Sequence, residues 1–385
     1  MKTVAVIFGG KSAEHDVSIV TALGGIIKPL EASGNYVVEV IYIAKDGSWH
    51  WDDKLKDINL YSKGGIADFL QNDPAVSVTF DGGLSLSKSI KLGRKKTATI
   101  DVAFPATHGT YGEDGSLMGL LRMAGIPFVG CDMEASVIAM NKLLSHQVIS
   151  ALGIEQYEYR GVQKTGFENN RAACIARLEG MNYPVFVKPV HLGSSIAITR
   201  VASHEEIANA LEVAFHYDNL AIVEEAVQNL IEVTVPIMGN TDDLQVAYVE
   251  KPLIAEGSTF DFETKYLKQG GGKKSAKSGA QGYSELPAKL PDGLYEKCEL
   301  LAKDVYTAFG CEGTARIDLL IDSVAGKVYF NEINPLPGDL YSHNWRAKGV
   351  SSVQLVTELI QLAERRHEET KNRTTSFSTN YLKQF

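Results

Sequence analysis

Two apolar runs near the C-terminal end, GTARIDLLID and KVYFNEIN, limit how this chain can fold more than any other part of its sequence. Only the tight turn SVAG lies between them, so we expect an antiparallel pair of strands. In such a pair Asp318 lies close to Glu332 and Asn334, whose side chains alternate onto one face of the second strand. The segment PLPG then ends that strand, because proline removes a backbone donor and glycine permits a turn.

The oxygens of these three side chains are hard ligands, suited to Mg²⁺ that is shared with phosphate. A plainer interpretation is that all three are solvent-facing residues of a strand. The pattern alone leaves both interpretations open.

The segment KPVHLGSSIA, residues 188–197, follows a predicted buried strand and is suited to phosphate binding. The backbone N–H groups of Gly193, Ser194 and Ser195 can approach an anion closely because their side chains are small, and Lys188 adds a positive charge. An ordinary hairpin turn explains the same residues, since the segment does not have the Walker pattern.

Three further segments place polar residues in glycine-containing loops. HGTYGEDG contains His108 ahead of a helix, for which Asp114 or the following Ser116 is a sufficient cap. FGGKSAEHD brings Glu14 near a helix start, without the dinucleotide-binding fingerprint. FDFETKYLKQGGGKK offers Lys265 and Tyr266 beside a Gly- and Lys-rich stretch, which is either a disordered surface loop or a lid over a phosphate site.

Composition and charge indicate a soluble globular protein. At 385 residues the chain can form two or three domains, and its net charge of −9 argues against a general nucleic-acid binder. Its four cysteines are scattered without a CxxC pair, which favours reduced thiols over disulfides or a zinc site. The N-terminal apolar run is too short for a signal peptide, and no apolar stretch of about 18 residues follows. We therefore expect a cytoplasmic location and no membrane partner.

Hydrophobic periodicity predicts different secondary-structure patterns before and after residue 130. In the first 130 residues, TVAVIFGG, YVVEVIYIA and TATIDVAFPATHG predict three strands of a parallel sheet, and VSIVTALGGIIKPLEA predicts a helix. Beyond residue 130, the segment DMEASVIAMNKLLSHQVISALGI predicts helix, and later segments alternate strand pairs with helices. The last amphipathic helix, SSVQLVTELIQLAERR, gives way to a polar tail that is expected not to order itself.

Six segments in this order resemble the D-alanine–D-alanine ligase family of the ATP-grasp superfamily: GGKSAEHDVS, HGTYGEDG, FVKPVHLGSS, FDFETKY, GTARIDLL and NEINPLPG. The resemblance runs from Val4 to about Arg365. It implies an α/β and α+β fold with three-domain ATP-grasp architecture and an N-terminal Rossmann-like parallel-sheet domain. The implied ranges are 1–130 for the N-terminal substrate domain, 131–223 for the central ATP-grasp subdomain, 224–366 for the C-terminal subdomain with a lid loop at about 257–285, and 367–385 for the tail.

The resemblance also implies roles for individual residues. Those implied for ATP binding are Lys142, Lys188, Gly193, Ser194, Ser195, Glu224 and Glu232. Those implied for two Mg²⁺ ions, with Mn²⁺ as a substitute, are Asp318, Glu332 and Asn334. Those implied for the chemistry are Glu14, Ser194, Tyr266, Arg316 and the backbone of Gly338. Those expected to bind the amino-acid substrates are Glu14, His108, Lys265 and Asn344.

The implied activity is the ATP-dependent joining of two D-alanines through an acyl phosphate, for peptidoglycan precursor synthesis. ATP and D-alanine are then the expected partners, in a homodimer that binds no nucleic acid. The chain departs from the family at Asp339, where an apolar residue is usual. On the acceptor side, SHNW replaces the usual SHS plus an apolar residue. The alternatives are a related ligase with another acceptor or donor, such as a depsipeptide ligase, and a non-catalytic nucleotide sensor. A nicotinamide-dependent dehydrogenase is disfavoured because its fingerprint is missing.

Overall fold

The structure is a computed structural model that describes residues 1–90, 94–240, 243–253, 284–374, 376, 378–379 and 381–385. The predicted lid residues Lys265 and Tyr266 lie outside the described residues. The described part of the chain forms four sheets of three or four strands and one two-stranded ribbon. No helix in this part is long and apolar enough to cross a membrane.

The N-terminal region is built around a parallel pairing that the sequence predicts. Its strands are β1 (Lys2–Gly9), β2 (Tyr36–Ile43), β3 (Trp49–Trp51), β4 (Ser77–Phe80), β5 (Leu84–Ser89), β6 (Lys95–Ile100) and β7 (Val102–Pro105). The N-terminal sheet has the order β3-β2-β1-β7, and β1 pairs in parallel with both β2 and β7. Residues 4–8 of β1 are fully buried, as expected for a β-branched run covered on both faces.

The helices of this region are α1 (His15–Val20), α2 (Lys28–Ser33), α3 (Ile58–Ser62), α4 (Ile66–Asn72) and α5 (Ser116–Ala124). Between α1 and α2 the chain stays helical through a wider π-helical segment, Thr21–Ile27. The helical segment that the sequence predicts here is therefore confirmed. It ends at Gly34, whose left-handed backbone terminates α2 (φ 67°).

The segment TATIDVAFPATHG does not form one strand, so that prediction was wrong. Its first half is β6, which pairs antiparallel with β5 in a small sheet of order β4-β5-β6. Its second half is β7 in the N-terminal sheet. The chain changes sheets at Asp101, whose carboxylate accepts a hydrogen bond from the Thr3 backbone N–H at 2.7 Å. Strand-forming residues on both sides of Asp101 conceal this change in the sequence.

The middle of the chain forms an antiparallel sheet covered by helices. Its elements are the helices α6 (Met133–Met140), α7 (Lys142–Ala151), α8 (Lys164–Asn169), α9 (Arg171–Ala176) and α10 (Ile207–Tyr217), and the strands β8 (Tyr159–Gln163), β9 (Val185–Pro189), β10 (Thr199–Val201) and β11 (Leu220–Glu225). This central sheet has the order β10-β9-β11-β8. The predicted helical stretch after residue 130 is divided at Asn141, whose side chain caps α7 by accepting from the Leu144 N–H at 2.9 Å.

A second antiparallel sheet follows. Its strands and neighbours are β12 (Leu230–Asn240), β13 (Asp243–Val246), β14 (Lys251–Pro252), β15 (Ser284–Glu285), β16 (Gly313–Asp322) and β17 (Lys327–Asn334), with the helices α11 (Leu294–Ala308), α12 (Ser342–Ala347) and α13 (Ser352–Thr370). This C-terminal sheet has the order β13-β12-β16-β17, and β14 pairs with β15. Helices α6 and α7 pack into its core through Ala135, Ala139 and Ile149.

The last long helix, α13, returns to the first strand of the chain. Its Val356 and Leu359 belong to the same buried cluster as Val4 and Val6 of β1. A capping box at Ser351 begins the helix, which extends into the segment predicted as a polar tail. The N-terminal sheet is thus covered by residues from the opposite end of the sequence.

Arg366 fixes the end of this contact. Its buried guanidinium donates to the backbone carbonyls of Phe128 and Gly130 at 2.6 and 2.7 Å. Gly313 of β16 approaches the same turn so closely that a Cβ there would lie 3.1 Å from the Gly130 backbone. The N-terminal and C-terminal sheets therefore meet at a tightly packed junction.

Candidate active site

The strands β16 and β17 bring the predicted polar residues onto one face of the C-terminal sheet. Their antiparallel pairing, predicted from the sequence, is confirmed, with Asp318 opposite Glu332 and Arg316 opposite Asn334. The Arg316 guanidinium donates to both carboxylate oxygens of Asp318 at 2.6 and 2.7 Å, and the Asn334 amide donates to one of them at 3.2 Å. The predicted metal ligands and the predicted oxyanion donor are thus neighbours.

The donors on this face fit a divalent cation that is shared with a nucleotide. Asp318, Glu332 and Asn334 supply carboxylate and amide oxygens, which Mg²⁺ prefers. The ranges that the structure describes contain no group of three or more His, Cys, Asp or Glu side chains that could hold a metal alone. An ion here therefore needs further oxygen ligands, and phosphate oxygens are suited to that role.

Two lysines point toward this face from the middle of the chain. Lys142 begins α7, and its ammonium donates to the Leu192 carbonyl at 2.7 Å and lies 3.4 Å from a Glu332 carboxylate oxygen. Lys188, at the end of β9, lies 3.3 Å from the Asn331 amide oxygen. Both cations are therefore near the end of β17, where a polyphosphate would need them.

The ammonium of Lys188 forms a buried ion pair with Glu224, at 2.5 Å. Burial disfavours the charged carboxylate, but Lys188 and the neighbouring His146 hold the pKa of Glu224 at about 2. Burial likewise opposes the charge on Lys188, yet the carboxylates of Glu224, Glu332 and Glu232 raise its pKa. The predicted nucleotide-binding acids Glu224 and Glu232 thus lie around one predicted phosphate-binding lysine.

The small-residue loop between β9 and β10 has an unusual backbone. Ser194, Ser195 and Ala197 all adopt left-handed conformations, with φ of 55°, 58° and 58°. Each such residue costs on the order of 1–2 kcal/mol, and such strain tends to occur at ligand sites. A Cβ on Gly193 would lie 3.2 Å from a Glu14 carboxylate oxygen, so only glycine fits there comfortably.

Glu14 joins this loop to the N-terminal region. It precedes α1, and its buried carboxylate accepts a hydrogen bond from the Ser194 hydroxyl. Burial and the neighbouring Glu113 raise the pKa of Glu14, while Ser194 and His108 oppose the shift. Burial alone would lower the pKa of His108, but Glu113 and Glu14 raise it above its ordinary value. A cationic ammonium group is the complementary ligand for these two carboxylates.

The turn after β17 carries Gly338 and a strained segment. Asp339, Leu340 and Tyr341 have left-handed backbones with φ of 50°, 52° and 53°. Leu340 is fully buried, and the Tyr341 hydroxyl lies 3.2 Å from the Thr234 hydroxyl. The Tyr341 ring centroid is 5.2 Å from the guanidinium of Arg316, so this turn forms one wall beside the predicted oxyanion donor.

Two family models match most of this chain. The family model described as D-ala D-ala ligase N-terminus matches residues 3–131, and that described as D-ala D-ala ligase C-terminus matches residues 148–361. This chain belongs to the D-alanine–D-alanine ligase family.

Individual relatives of this ligase align with it over nearly their full length. The D-alanine–D-alanine ligase of Chloroherpeton thalassium is 32% identical, with 97% of this chain and 99% of the relative covered. That of Chlorobium phaeovibrioides is 35% identical, with 94% and 96% covered. Members of the family are ATP-dependent ligases.

Solved structures show the same architecture. The D-alanine–D-alanine ligase of Coxiella burnetii is 26% identical and superposes with a TM-score of 0.76, covering 96% of this chain and 97% of that one. The VanG D-Ala:D-Ser ligase of Enterococcus faecalis is 29% identical with a TM-score of 0.77, covering 94% and 99%. The ATP-grasp fold expected from the sequence, with an N-terminal parallel pairing, is confirmed.

Protein groups surround the predicted acceptor residue of this ligase, Asn344. Its side chain is fully buried and exchanges hydrogen bonds with the backbone of Tyr248, both at 2.9 Å, while its amide also donates to Glu250 at 3.0 Å. In this arrangement the amide is occupied by protein groups. Trp345 is buried in the same core cluster as β1.

Sequence reasoning assigned no role to several residues that the structure places at the site of this ligase. Glu250 is buried and accepts from His343 at 2.8 Å as well as from Asn344, and Thr21 hydrogen-bonds across to the Gly338 turn. Glu113 lies beside His108, within the conspicuous segment HGTYGEDG. For Glu250 and Thr21 the sequence offers no signal, because each is an ordinary residue in a strand-like or helical run.

The buried pair gives a test of the nucleotide side of the site. Glu224→Gln is expected to raise the KM for ATP and to lower the free energy of unfolding at neutral pH by roughly 3–5 kcal/mol, because Lys188 loses its buried partner. The depressed pKa of Glu224 also means that its stabilisation is full above about pH 4.5 and is lost as the pH falls toward 2. Melting temperatures measured over this range should therefore fall more steeply for the unmodified protein than for the variant.

Glu225→Gln is the matched control for this measurement. Glu225 is the next residue of β11 and accepts from the Asn182 backbone N–H at 2.6 Å. We expect the control to keep the KM for ATP. If the melting temperatures of Glu224→Gln and the unmodified protein fell equally with pH, the assignment of the buried pair would be contradicted.

Proposed function

We propose that this protein joins two molecules of D-alanine, at the expense of ATP, to give D-alanyl-D-alanine for peptidoglycan precursors. The observation that supports this most directly is the β16–β17 register. It sets Arg316, Asp318, Glu332 and Asn334 side by side, at the edge that Lys142 and Lys188 approach.

The first step makes the carboxylate of one D-alanine reactive. A carboxylate oxygen is a very poor leaving group, so phosphoryl transfer from ATP must first give an acyl phosphate. This chain contributes positive charge from Lys142 and Lys188 and backbone donors from the Gly193–Ser195 loop, which position the phosphates. Asp318, Glu332 and Asn334 would hold Mg²⁺, which neutralises phosphate charge when bound.

The second step forms the peptide bond. We assign the ammonium of the first D-alanine to Glu14, whose carboxylate accepts from the Ser194 hydroxyl. When the amine of the second D-alanine attacks, the carbonyl oxygen becomes an oxyanion that needs preorganised donors. Arg316 and the Gly338 backbone N–H are the donors we assign. The nitrogen loses one proton to solvent, phosphate leaves with the electrons of the C–O bond, and the peptide bond is complete.

Finer features of the proposal follow from the family resemblance. We assign two Mg²⁺ ions per site, replaceable by Mn²⁺, together with a homodimer that acts in the cytoplasm and binds neither nucleic acid nor membrane. Sedimentation of the purified protein tests the dimer, and phosphate release titrated with each metal tests the ions.

A second candidate differs only in the acceptor. The structural likeness includes a D-Ala:D-Ser ligase, and the amide of Asn344 is already bonded to Glu250 and to the Tyr248 backbone. Both observations favour a ligase that joins D-alanine to another small D-amino or hydroxy acid. The chemistry at Arg316 and Asp318 would be the same.

We expect D-alanine, rather than D-lactate, to be the preferred acceptor near neutral pH. In the family a lid tyrosine accompanies peptide formation, and Tyr266 occupies that position in the sequence. A neutral phenol adds no positive charge that would repel an ammonium acceptor, whereas Lys265 can pair with the acceptor carboxylate. The measurement is product analysis with D-alanine, D-serine and D-lactate competing at equal concentrations.

Each product has a distinct meaning. Predominant D-alanyl-D-alanine supports the proposal, and predominant D-alanyl-D-serine supports the second candidate. Predominant depsipeptide at neutral pH would contradict the role given to Tyr266. Absence of ATP-dependent phosphate release with every D- and L-amino acid tested would overturn the ligase assignment and favour a nucleotide sensor.

A further inference from the structure

The turn that carries Gly338 is held by a helix from the other end of the chain. The Asp339 backbone N–H donates to the Thr21 hydroxyl at 3.0 Å, and the same hydroxyl lies 2.9 Å from Nε2 of His108. The backbone of Leu336 also faces the His108 imidazole closely enough to raise its pKa. Gly338 is therefore flanked, at Leu336 and at Asp339, by backbone groups that the N-terminal region fixes.

The second contact is steric and involves Gly25, one turn further along the same π-helical segment. A Cβ on Gly25 would lie 2.5 Å from the Asp339 carboxylate and 3.3 Å from its Cα. Its neighbour Gly24 has nothing within 4 Å of the corresponding position. Space beside Asp339, and not backbone conformation, therefore requires glycine at position 25. Short π-helical segments inside α-helices are frequent at functional sites.

We infer that Thr21 and Gly25 are positioning residues that fix the Gly338 donor for the ligation step. This inference rests on the proposed ligase function. Neither residue touches the reacting atoms: Thr21 holds the peptide that follows Gly338, and Gly25 leaves room for Asp339 to reach Thr21. The aspartate also accepts from the Ser342 hydroxyl at 2.7 Å, which ties the first residue of α12 to the same contact.

The turn has a strained left-handed backbone, which these contacts stabilise. Three consecutive residues, Asp339, Leu340 and Tyr341, are in a conformation that L-residues avoid, so the turn is expected to relax if its N-terminal support is removed. A donor displaced by about 1 Å from its productive position can cost on the order of 100-fold in rate. Loss of either contact should therefore lower kcat while the nucleotide site is left intact.

The Thr21 hydroxyl also connects two substrate positions. It contacts His108, which faces Glu113 and Glu14 on the first-substrate side, and it contacts Asp339 on the oxyanion side. One buried side chain, Thr21, therefore helps to position both the first-substrate side and the oxyanion side of the reacting carbonyl. A hydroxyl that only stabilised the helix would not need to contact both sides of the site.

Gly25→Ala is the sharper of two tests, because Gly24→Ala is a matched control one residue away. Alanine favours helix at both positions, so helix propensity should not lower the melting temperature of either variant. Only the clash with Asp339 could lower it, and only in Gly25→Ala. We expect Gly25→Ala to lower kcat by about 10- to 100-fold with the KM for ATP within about twofold. Gly24→Ala should keep the kcat of the unmodified protein. Equal kcat values for the two variants would overturn the role of Gly25.

Thr21→Val removes the hydroxyl while keeping the shape of the side chain, and Thr21→Ser restores the hydroxyl. We expect Thr21→Val to lower kcat by about 10- to 100-fold and Thr21→Ser to recover most of it. Ser18→Ala is the control in the preceding turn of the helix, since the Ser18 hydroxyl accepts from the Gly9 N–H at 2.7 Å. Equal loss of kcat in Thr21→Val and Ser18→Ala would show that the effect is merely structural.

Amide hydrogen exchange measured by mass spectrometry gives a readout that needs no turnover. Exchange in residues 336–341 should increase in Gly25→Ala and Thr21→Val, and should not change in Gly24→Ala or Ser18→Ala. Unchanged exchange in both test variants would contradict the inference. If Thr21→Val does not fold, the comparison of Gly25→Ala with Gly24→Ala tests the inference by itself.

The proposed function and this inference fail differently. If the unmodified protein releases no phosphate with D-alanine but does so with another amino acid, the proposed substrate is wrong, and the variants are compared with that amino acid instead. If the unmodified protein uses D-alanine and Gly25→Ala matches it in kcat, only the positioning role is wrong. Inactivity with every amino acid would overturn both.

Discussion

Asp318→Asn is expected to abolish turnover while the protein keeps its fold. The substitution removes an anionic oxygen ligand beside the polyphosphate, and the charge neutralisation that the divalent ion supplies is lost with it. It also weakens the bidentate pair that holds the Arg316 guanidinium in place. Glu332→Gln, opposite Asp318 on β17, should have the same consequence. The measurement is Mg²⁺-dependent phosphate release, with circular dichroism to confirm folding.

Asp322→Asn is the matched control for this experiment. Asp322 lies on the same strand, β16, and its carboxylate accepts from the backbone N–H groups of Val324 and Ala325 in the turn to β17. Asparagine can accept the same bonds, so the control should retain turnover. Near-normal phosphate release by either Asp318→Asn or Glu332→Gln would contradict the metal assignment.

Arg316→Met is expected to lower kcat by roughly 100-fold or more, with a much smaller change in the affinity for ATP. Methionine keeps much of the side-chain volume but removes the donor assigned to the oxyanion, whose loss in other enzymes has this magnitude. Steady-state kinetics with ATP and D-alanine varied separately, and direct binding of ATP, separate the two effects.

Arg316→Lys distinguishes charge from geometry at the same position. Lysine keeps the positive charge but loses the planar fork that grips both oxygens of Asp318. We expect a loss in kcat nearly as large as that of Arg316→Met. Equal losses in ATP binding and kcat for Arg316→Met would instead make Arg316 a nucleotide anchor.

The parts of the site that lie within one supersecondary unit were predictable from the sequence. The alternation of Glu332 with Asn334 and the tight turn before β17 are enough to predict the pairing with Asp318, because strand geometry fixes which side chains share a face. The break at PLPG was predictable for the same kind of reason. Local rules suffice where the residues that meet are close in the chain.

The contacts between distant segments were not predictable in this way. Nothing near Thr21 or Gly25 indicates that Asp339, more than 300 residues later in the sequence, will lie against them. The left-handed run from Asp339 to Tyr341 contains no glycine, so the usual signal for such a conformation is missing. Packing against the π-helical segment determines this backbone, and packing is not encoded in a local pattern.

The hydrogen-bond partners of Asn344 show a second limit of sequence reasoning. Asn344 was assigned to the substrate because its position in the motif suggested a donor, yet its amide is used by Tyr248 and Glu250. A buried amide must be satisfied by whatever partners the fold provides. Glu250 provides one here, and only the three-dimensional structure shows that it lies beside α12.

The return of α13 to β1 has a consequence for how the protein is made. Ribosomes release the N-terminal strands first, but the cluster around Val4 and Val6 is completed by Val356 and Leu359 from the last helix. Residues of the first helices, such as Leu23 and Ile27, cover only part of that apolar face, and the rest is covered only after α13 has been synthesised. Nascent chains shortened before residue 351 should keep part of that face exposed and depend on chaperones, so that a nonsense mutation ahead of α13 would damage a sheet built from residues 2–105.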